Sequence, residues 1–136
     1  MALQTGALQR PLAIMMTRDL KSVGEDATLL EAAVLMREAK IGALLVKSGA
    51  SYVGIITERD LVWKAMAGTM DLNGEKVKMV MSAPVISIEM DRSAHDASDL
   101  MAERWIRHLA VTQDGQIIGM ISVRDLLHYF KNWGTL

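Results

Sequence analysis

Leu29, Ala32, Ala33, Met36 and Ala39 fall on one stripe at helical spacing, and Thr28 with Glu31 three residues on marks where that helix opens. A short strand of Leu20, Ser22 and Val23 precedes it. Two apolar runs follow, Ala43-Leu44-Leu45-Val46 and Tyr52-Val53-Gly54-Ile55-Ile56, joined around Ser48-Gly49, which predicts a hairpin. A second helix opens at Thr57, carries Leu61, Val62, Ala65 and Met66, and ends near Gly68. Residues 1–13 carry little pattern, because Gly6 and Pro11 interrupt any helix, and read as an arm or a short capping helix.

The same order then returns without a gap. Shifted by 65 positions, Met16 meets Met81, Ser22 meets Ser87, Asp26 meets Asp91, Val46 meets Val111, and Arg59-Asp60-Leu61 meets Arg124-Asp125-Leu126. Matches at core periods and turn positions mean a duplicated unit. The second copy repeats the helix opening at Ser93 and Asp96 and sharpens the hairpin to Gln113-Asp114-Gly115-Gln116. Between the copies, Thr69 to Glu75 is a polar connection and Val77 to Val80 adds a short helical turn. The expected organisation is an arm over 1–13, a first repeat over 14–68, a linker over 69–78, and a second repeat with a C-terminal helix over 79–136. A single strand-helix-hairpin-helix unit has too few strands to close a core. Two such α+β units are therefore expected to pack face to face as a pseudo-two-fold pair, leaving two related clefts suited to a small molecule.

Composition narrows the partners. The chain has 136 residues, a formal net charge of −1 and no cysteine. The charge balance and the lack of a basic tract argue against nucleic acid. The missing cysteines exclude a disulfide framework and a thiolate zinc site and fit a reducing compartment. No apolar run reaches membrane-spanning length, and the first residues lack a signal-peptide pattern, so a cytoplasmic location is expected.

The candidate chemistry sits at the end of each hairpin. Gly54-Ile55-Ile56-Thr57-Glu58-Arg59-Asp60 returns as Gly119-Met120-Ile121-Ser122-Val123-Arg124-Asp125. In each, a glycine permits close approach of another group, and a hydroxyl, an arginine and an aspartate then occupy a strand end and the first helical turn. Thr57 with Asp60 and Ser122 with Asp125 also read as capping boxes, and the same residues can cap and bind. Arg59 and Arg124 are equally placed as solvated surface charges. His95, His108 and His128 occupy unlike repeat positions, which disfavours a metal site, and Ser122 lacks the elbow context of a nucleophile. The eleven methionines fill a core poor in aromatics, or serve an adaptable interface. The helices after the two motifs carry Leu61, Val62, Trp63 and Met66, and Leu126, Leu127, Tyr129, Phe130 and Trp133. That apolar surface predicts a homodimer in which these helices meet.

The duplicated unit, with its Gly-x-x-Thr/Ser-x-x-Asp ending, resembles a pair of cystathionine-β-synthase (CBS) domains, the arrangement called a Bateman module, from Met15 to about Tyr129. Ile41 to Val46 and Arg107 to Val111 resemble the stand-alone two-repeat kind. The resemblance implies a non-catalytic, energy-sensing module that binds an adenine nucleotide (AMP, ADP or ATP) or an adenosyl ligand in the inter-repeat clefts and signals by a change of shape. It assigns Asp60 and Asp125 to ribose hydroxyls, Thr57 and Ser122 to ribose or phosphate, and Arg59, Arg124, Arg107 and His108 to phosphate. Thr17, Lys21, Ser82 and Ile86 match positions lining the base pocket. The first copy has Gly42-Ala43 where the second has Arg107-His108, so the two sites are expected to differ. The alternative is a regulatory subunit that acts on a partner protein by contact alone, with degenerate ligand sites.

Overall fold

The computed structural model describes residues 11–133. Most of the expected arm, residues 1–10, lies outside the described residues. The described chain divides into two compact units, one formed by Lys21–Val85 and the other by residues 11–20 together with residues 86–133.

In the Lys21–Val85 unit the order is β1 (Ser22–Gly24), α1 (Leu29–Ala39), β2 (Ala43–Ser48), β3 (Ser51–Thr57) and α2 (Glu58–Asp60), which runs into a π-helical segment, Leu61–Met66. The second unit repeats it as β4 (Ser87–Glu89), α3 (Ala94–Arg104), β5 (His108–Gln113), β6 (Gln116–Ser122) and α4 (Val123–Trp133). Each unit is α+β and holds a three-stranded mixed sheet. The first strand runs parallel to the second, and the second pairs antiparallel with the third.

Local chemistry explains the elements. The Thr28 hydroxyl accepts a hydrogen bond from the Glu31 amide at 3.1 Å and opens α1. Ser93 and Asp96 make both halves of a capping box at α3. Both helices stop at a left-handed residue, Lys40 (φ 57°) and Trp105 (φ 56°). In the second hairpin Asp114 (φ 51°) and Gly115 (φ 79°) supply the two positive φ values that a tight two-residue turn requires. A register shift follows Val46 in one sheet and Val111 in the other, so the bulge is duplicated too.

The compact units are offset from the sequence repeat. Leu12 is fully buried in the second unit with Leu109, Val111, Ile121, Met101 and Phe130. Its counterpart 65 residues on, Val77, is fully buried in the first unit with Leu44, Val46 and Ile56. The offset comes from backbone pairing: Thr17 exchanges two hydrogen bonds with Met120 (2.8 and 2.9 Å), and Ser82 does the same with Ile55 (2.8 and 2.9 Å). The residues preceding each first strand therefore belong to the hairpin of the other repeat, a long-range pairing for which local sequence carries no signal. Beside these pairings, an ideal Cβ on Gly54 would lie 2.8 Å from the Ser82 carbonyl oxygen, and one on Gly119 would lie 2.6 Å from the Met16 sulfur.

The α3 cap gives a pH-dependent prediction. The Arg92 guanidinium, helped by the Ser93 amide, holds the Asp96 carboxyl at about 2, below its ordinary 3.8. A depressed carboxyl stabilises the fold above its unfolded pKa, and that contribution is lost as pH falls through the folded value. Asp96→Asn is expected to lower the melting temperature slightly near neutral pH, and the gap from wild type should shrink between about pH 4 and pH 2. Melting curves across that range check it; a gap that does not change with pH would contradict the assignment.

Candidate functional site

Each motif forms a corner where the third strand of a sheet turns into a helix. In the Lys21–Val85 unit, Thr57 is the N-cap of α2. Its hydroxyl accepts the Asp60 amide at 3.3 Å and donates to Asp60 Oδ2 at 3.2 Å. The Thr57 amide donates to that same oxygen at 3.0 Å. The other oxygen, Oδ1, receives Lys64 Nζ at 2.9 Å and the Ser82 hydroxyl at 3.5 Å. Lys64 Nζ also donates to the Val80 carbonyl at 2.9 Å. Asp60 is buried, at 5% exposure, inside this set of donors. The helix beyond it is π-helical, with Ala67 bonded to Val62 and Met70 to Ala65 across five residues.

In the second unit Ser122 opens α4: its hydroxyl accepts the Asp125 amide at 3.1 Å, and its own amide donates to Asp125 Oδ2 at 2.9 Å. The capping reading of both tetrads therefore holds. Among the described residues no other donor reaches the Asp125 carboxylate, and no cation pairs with it. Asp125 is half-buried.

The remaining candidates distribute as follows. His108 stands opposite Ser122 in the β5–β6 ladder, and the Arg107 carbonyl accepts the Val123 amide at 2.9 Å. Arg107, His108, Ser122 and Asp125 thus converge on one corner, with Arg124 exposed on the same helical turn. Thr17 joins this unit through Met120, and the Ile86 carbonyl accepts the Ala110 amide at 3.1 Å. In the other unit the Lys21 carbonyl accepts the Leu45 amide at 3.1 Å, and Arg59 lies over the Trp63 ring at 5.0 Å.

The two corners differ in charge. Gly42 occupies the position of Arg107, and the Glu58 carboxylate fills the space beside it, Oε1 lying 3.0 Å from where a glycine Cβ would be. Val123 replaces Glu58 at the second corner. One corner holds Glu58 and Asp60 with Lys64 as counter-ion; at the other, Arg107 and His108 adjoin Ser122 and Val123 in the ladder, and Asp125 makes no ion pair among the described residues. Among the described residues no group of three or more His, Asp or Glu is arranged to hold a metal ion, and no helix is long and apolar enough to cross a membrane.

Lys64 is the residue that sequence reading missed. Its signal was the opposite-charge spacing Asp60 to Lys64 on one helix, at a repeat position where the second copy has Tyr129.

A model of the CBS domain matches residues 13–66 and again residues 77–132. The chain belongs to the CBS-domain family, as a tandem pair. A CBS-domain protein of Burkholderia ambifaria superposes with a TM-score of 0.83 at 34% identity, covering 88% of each chain. A hexameric CBS-CP12 protein from bloom-forming cyanobacteria superposes with a TM-score of 0.82 at 28% identity, over 93% of this chain and 76% of that one. An uncharacterised protein of Methanopyrus kandleri is 36% identical over 81% of this chain, which spans only 57% of that relative's length.

Proposed function

We propose that the chain is a non-catalytic regulatory module that binds an adenine nucleotide (AMP, ADP or ATP) or a related adenosyl ligand and signals by a change of conformation. The observation carrying this reading is the second corner, where among the described residues the Ser122 amide is the one donor to the Asp125 carboxylate, and Arg107 and His108 adjoin Ser122 and Val123 in the ladder. An ionised carboxylate accepts both hydroxyls of a ribose cis-diol, and a guanidinium grips phosphate bidentately. Occupancy shifts a conformational equilibrium only by the ligand's differential affinity for the two states, which is how such a module reports ligand concentration. Thr17, Ile86 and Arg124 are proposed to line the same site; Lys21, Ser82, Thr57, Arg59 and Asp60 hold the corresponding positions of the first corner.

The test is thermal denaturation with AMP, ADP, ATP and S-adenosylmethionine. A ligand at one hundred times its dissociation constant adds about 2.7 kcal/mol of stability. Asp125→Ala should abolish that shift while retaining a folded melting transition. A panel in which nothing moves the transition refutes the reading.

The homodimer expected through this helix is supported by one observation: Trp63, Met66 and Val62 on the π-helical segment are 67%, 63% and 50% exposed. Apolar side chains clustered on one short segment are suited to association, here with a second copy of the chain. Trp63→Glu is expected to convert a dimer to a monomer in sedimentation equilibrium; an unchanged mass would remove this surface from consideration.

A further inference from the structure

The Asp60 carboxylate has about four lone-pair positions, and all are taken within its own unit. Oδ2 accepts the Thr57 amide (3.0 Å) and the Thr57 hydroxyl (3.2 Å). Oδ1 accepts Lys64 Nζ (2.9 Å) and the Ser82 hydroxyl (3.5 Å). The ammonium is held at a second point by the Val80 carbonyl (2.9 Å), so it bridges a carboxylate and a backbone oxygen much as a bound ligand's donor would. Among the described residues no cation bonds Asp125 in this way. Residue 129 is a tyrosine whose buried ring meets Phe130 edge-on at 5.6 Å, and Asp125 accepts only the Ser122 amide among the described residues.

We propose that Lys64 is a built-in occupant of the first corner: it closes Asp60 to a ribose diol and makes the chain a one-site nucleotide binder acting through Asp125. This rests on the nucleotide-binding reading above. A diol entering the first corner must displace a charge-assisted hydrogen bond and leave Lys64 to find another partner. It also meets the Glu58 carboxylate beside Gly42, which repels phosphate. Displacing one such bond weakens binding about tenfold. Lys64 is thus a specificity-determining residue that acts by occupying the acceptor the ligand would need.

The experiment is calorimetric titration of the full chain with AMP and with ATP, using 2′-deoxy-AMP as the control for the diol. Wild type should bind one equivalent, and Asp125→Asn should weaken binding at least about tenfold. Lys64→Met should add a second equivalent, and the double variant Lys64→Met/Asp125→Asn should regain a single site that still discriminates against 2′-deoxy-AMP. Lys64→Ala, which removes the donor to Asp60 with little added bulk, serves alongside in case the methionine variant fails to fold, melting curves deciding which is used. Two equal sites in wild type, or a stoichiometry unmoved by replacing Lys64, overturn the inference and leave the nucleotide reading standing. If neither nucleotide binds any of these proteins, the nucleotide reading itself fails and the inference falls with it.

Discussion

Gly54→Ala is expected to lower stability by about 2–4 kcal/mol, the sum of overpacking in a closed space and weakened backbone bonds. The new methyl carbon would lie 2.8 Å from both the Ser82 carbonyl oxygen and the Met81 sulfur. A methionine side chain yields, but a carbonyl engaged in a ladder does not. Moving it disrupts the two hydrogen bonds between Ile55 and Ser82. The Ser82 hydroxyl would move with it, loosening the donors around Asp60. Gly119→Ala is the internal comparison, because its clash falls first on the Met16 side chain, with the Thr17 oxygen at 3.1 Å. The smaller loss is therefore expected at Gly119. Urea denaturation of both variants decides it; equal and slight losses would mean the segments preceding each first strand are not anchored as described.

Leu12→Ala should cost about 2–5 kcal/mol, as for other fully buried leucines truncated without collapse of the cavity. Leu12 has no exposed surface and contributes to the core formed by Ala94, Met101, Leu109 and Ile121. The informative readout is where the loss appears. Amide exchange should accelerate in His108–Ser122, whereas Ala43–Thr57, whose core receives Val77 instead, should stay protected longer. Acceleration confined to the earlier hairpin would contradict the assignment of Leu12 to the second unit.

These two predictions rest on contacts that separate what the sequence displays from what it conceals. The strands, helices and hairpins were legible because each is set by short-range chemistry: the Thr28 and Ser93 caps, the Asp114-Gly115 turn, and the helical stripe through Ala32 and Met36. Duplication then doubled every signal. The convergence of His108 on Ser122 followed from hairpin register, which turn length fixes. The allegiance of Thr17 to Met120 did not follow, because pairing across a hundred residues leaves no periodic trace. Nor was the closure of Asp60 legible: the i, i+4 spacing suggests a surface pair, whereas the structure gives Lys64 the Val80 carbonyl as a second anchor.

The offset between repeats and compact units also bears on how the chain acquires its structure. Lys21–Val85 is one continuous stretch, so a ribosome can deliver its whole core before Ile86 is synthesised. The other unit cannot assemble that way. Leu12, whose amide donates to the Arg92 carbonyl at 2.9 Å, must wait for partners made long afterwards, and the loop this contact closes contains the whole of Lys21–Val85. Vectorial synthesis thus imposes a sequence on folding. Nascent chains stalled soon after Val85 has emerged should already protect the first hairpin from protease, while Leu12 remains unburied until β5 and β6 exist.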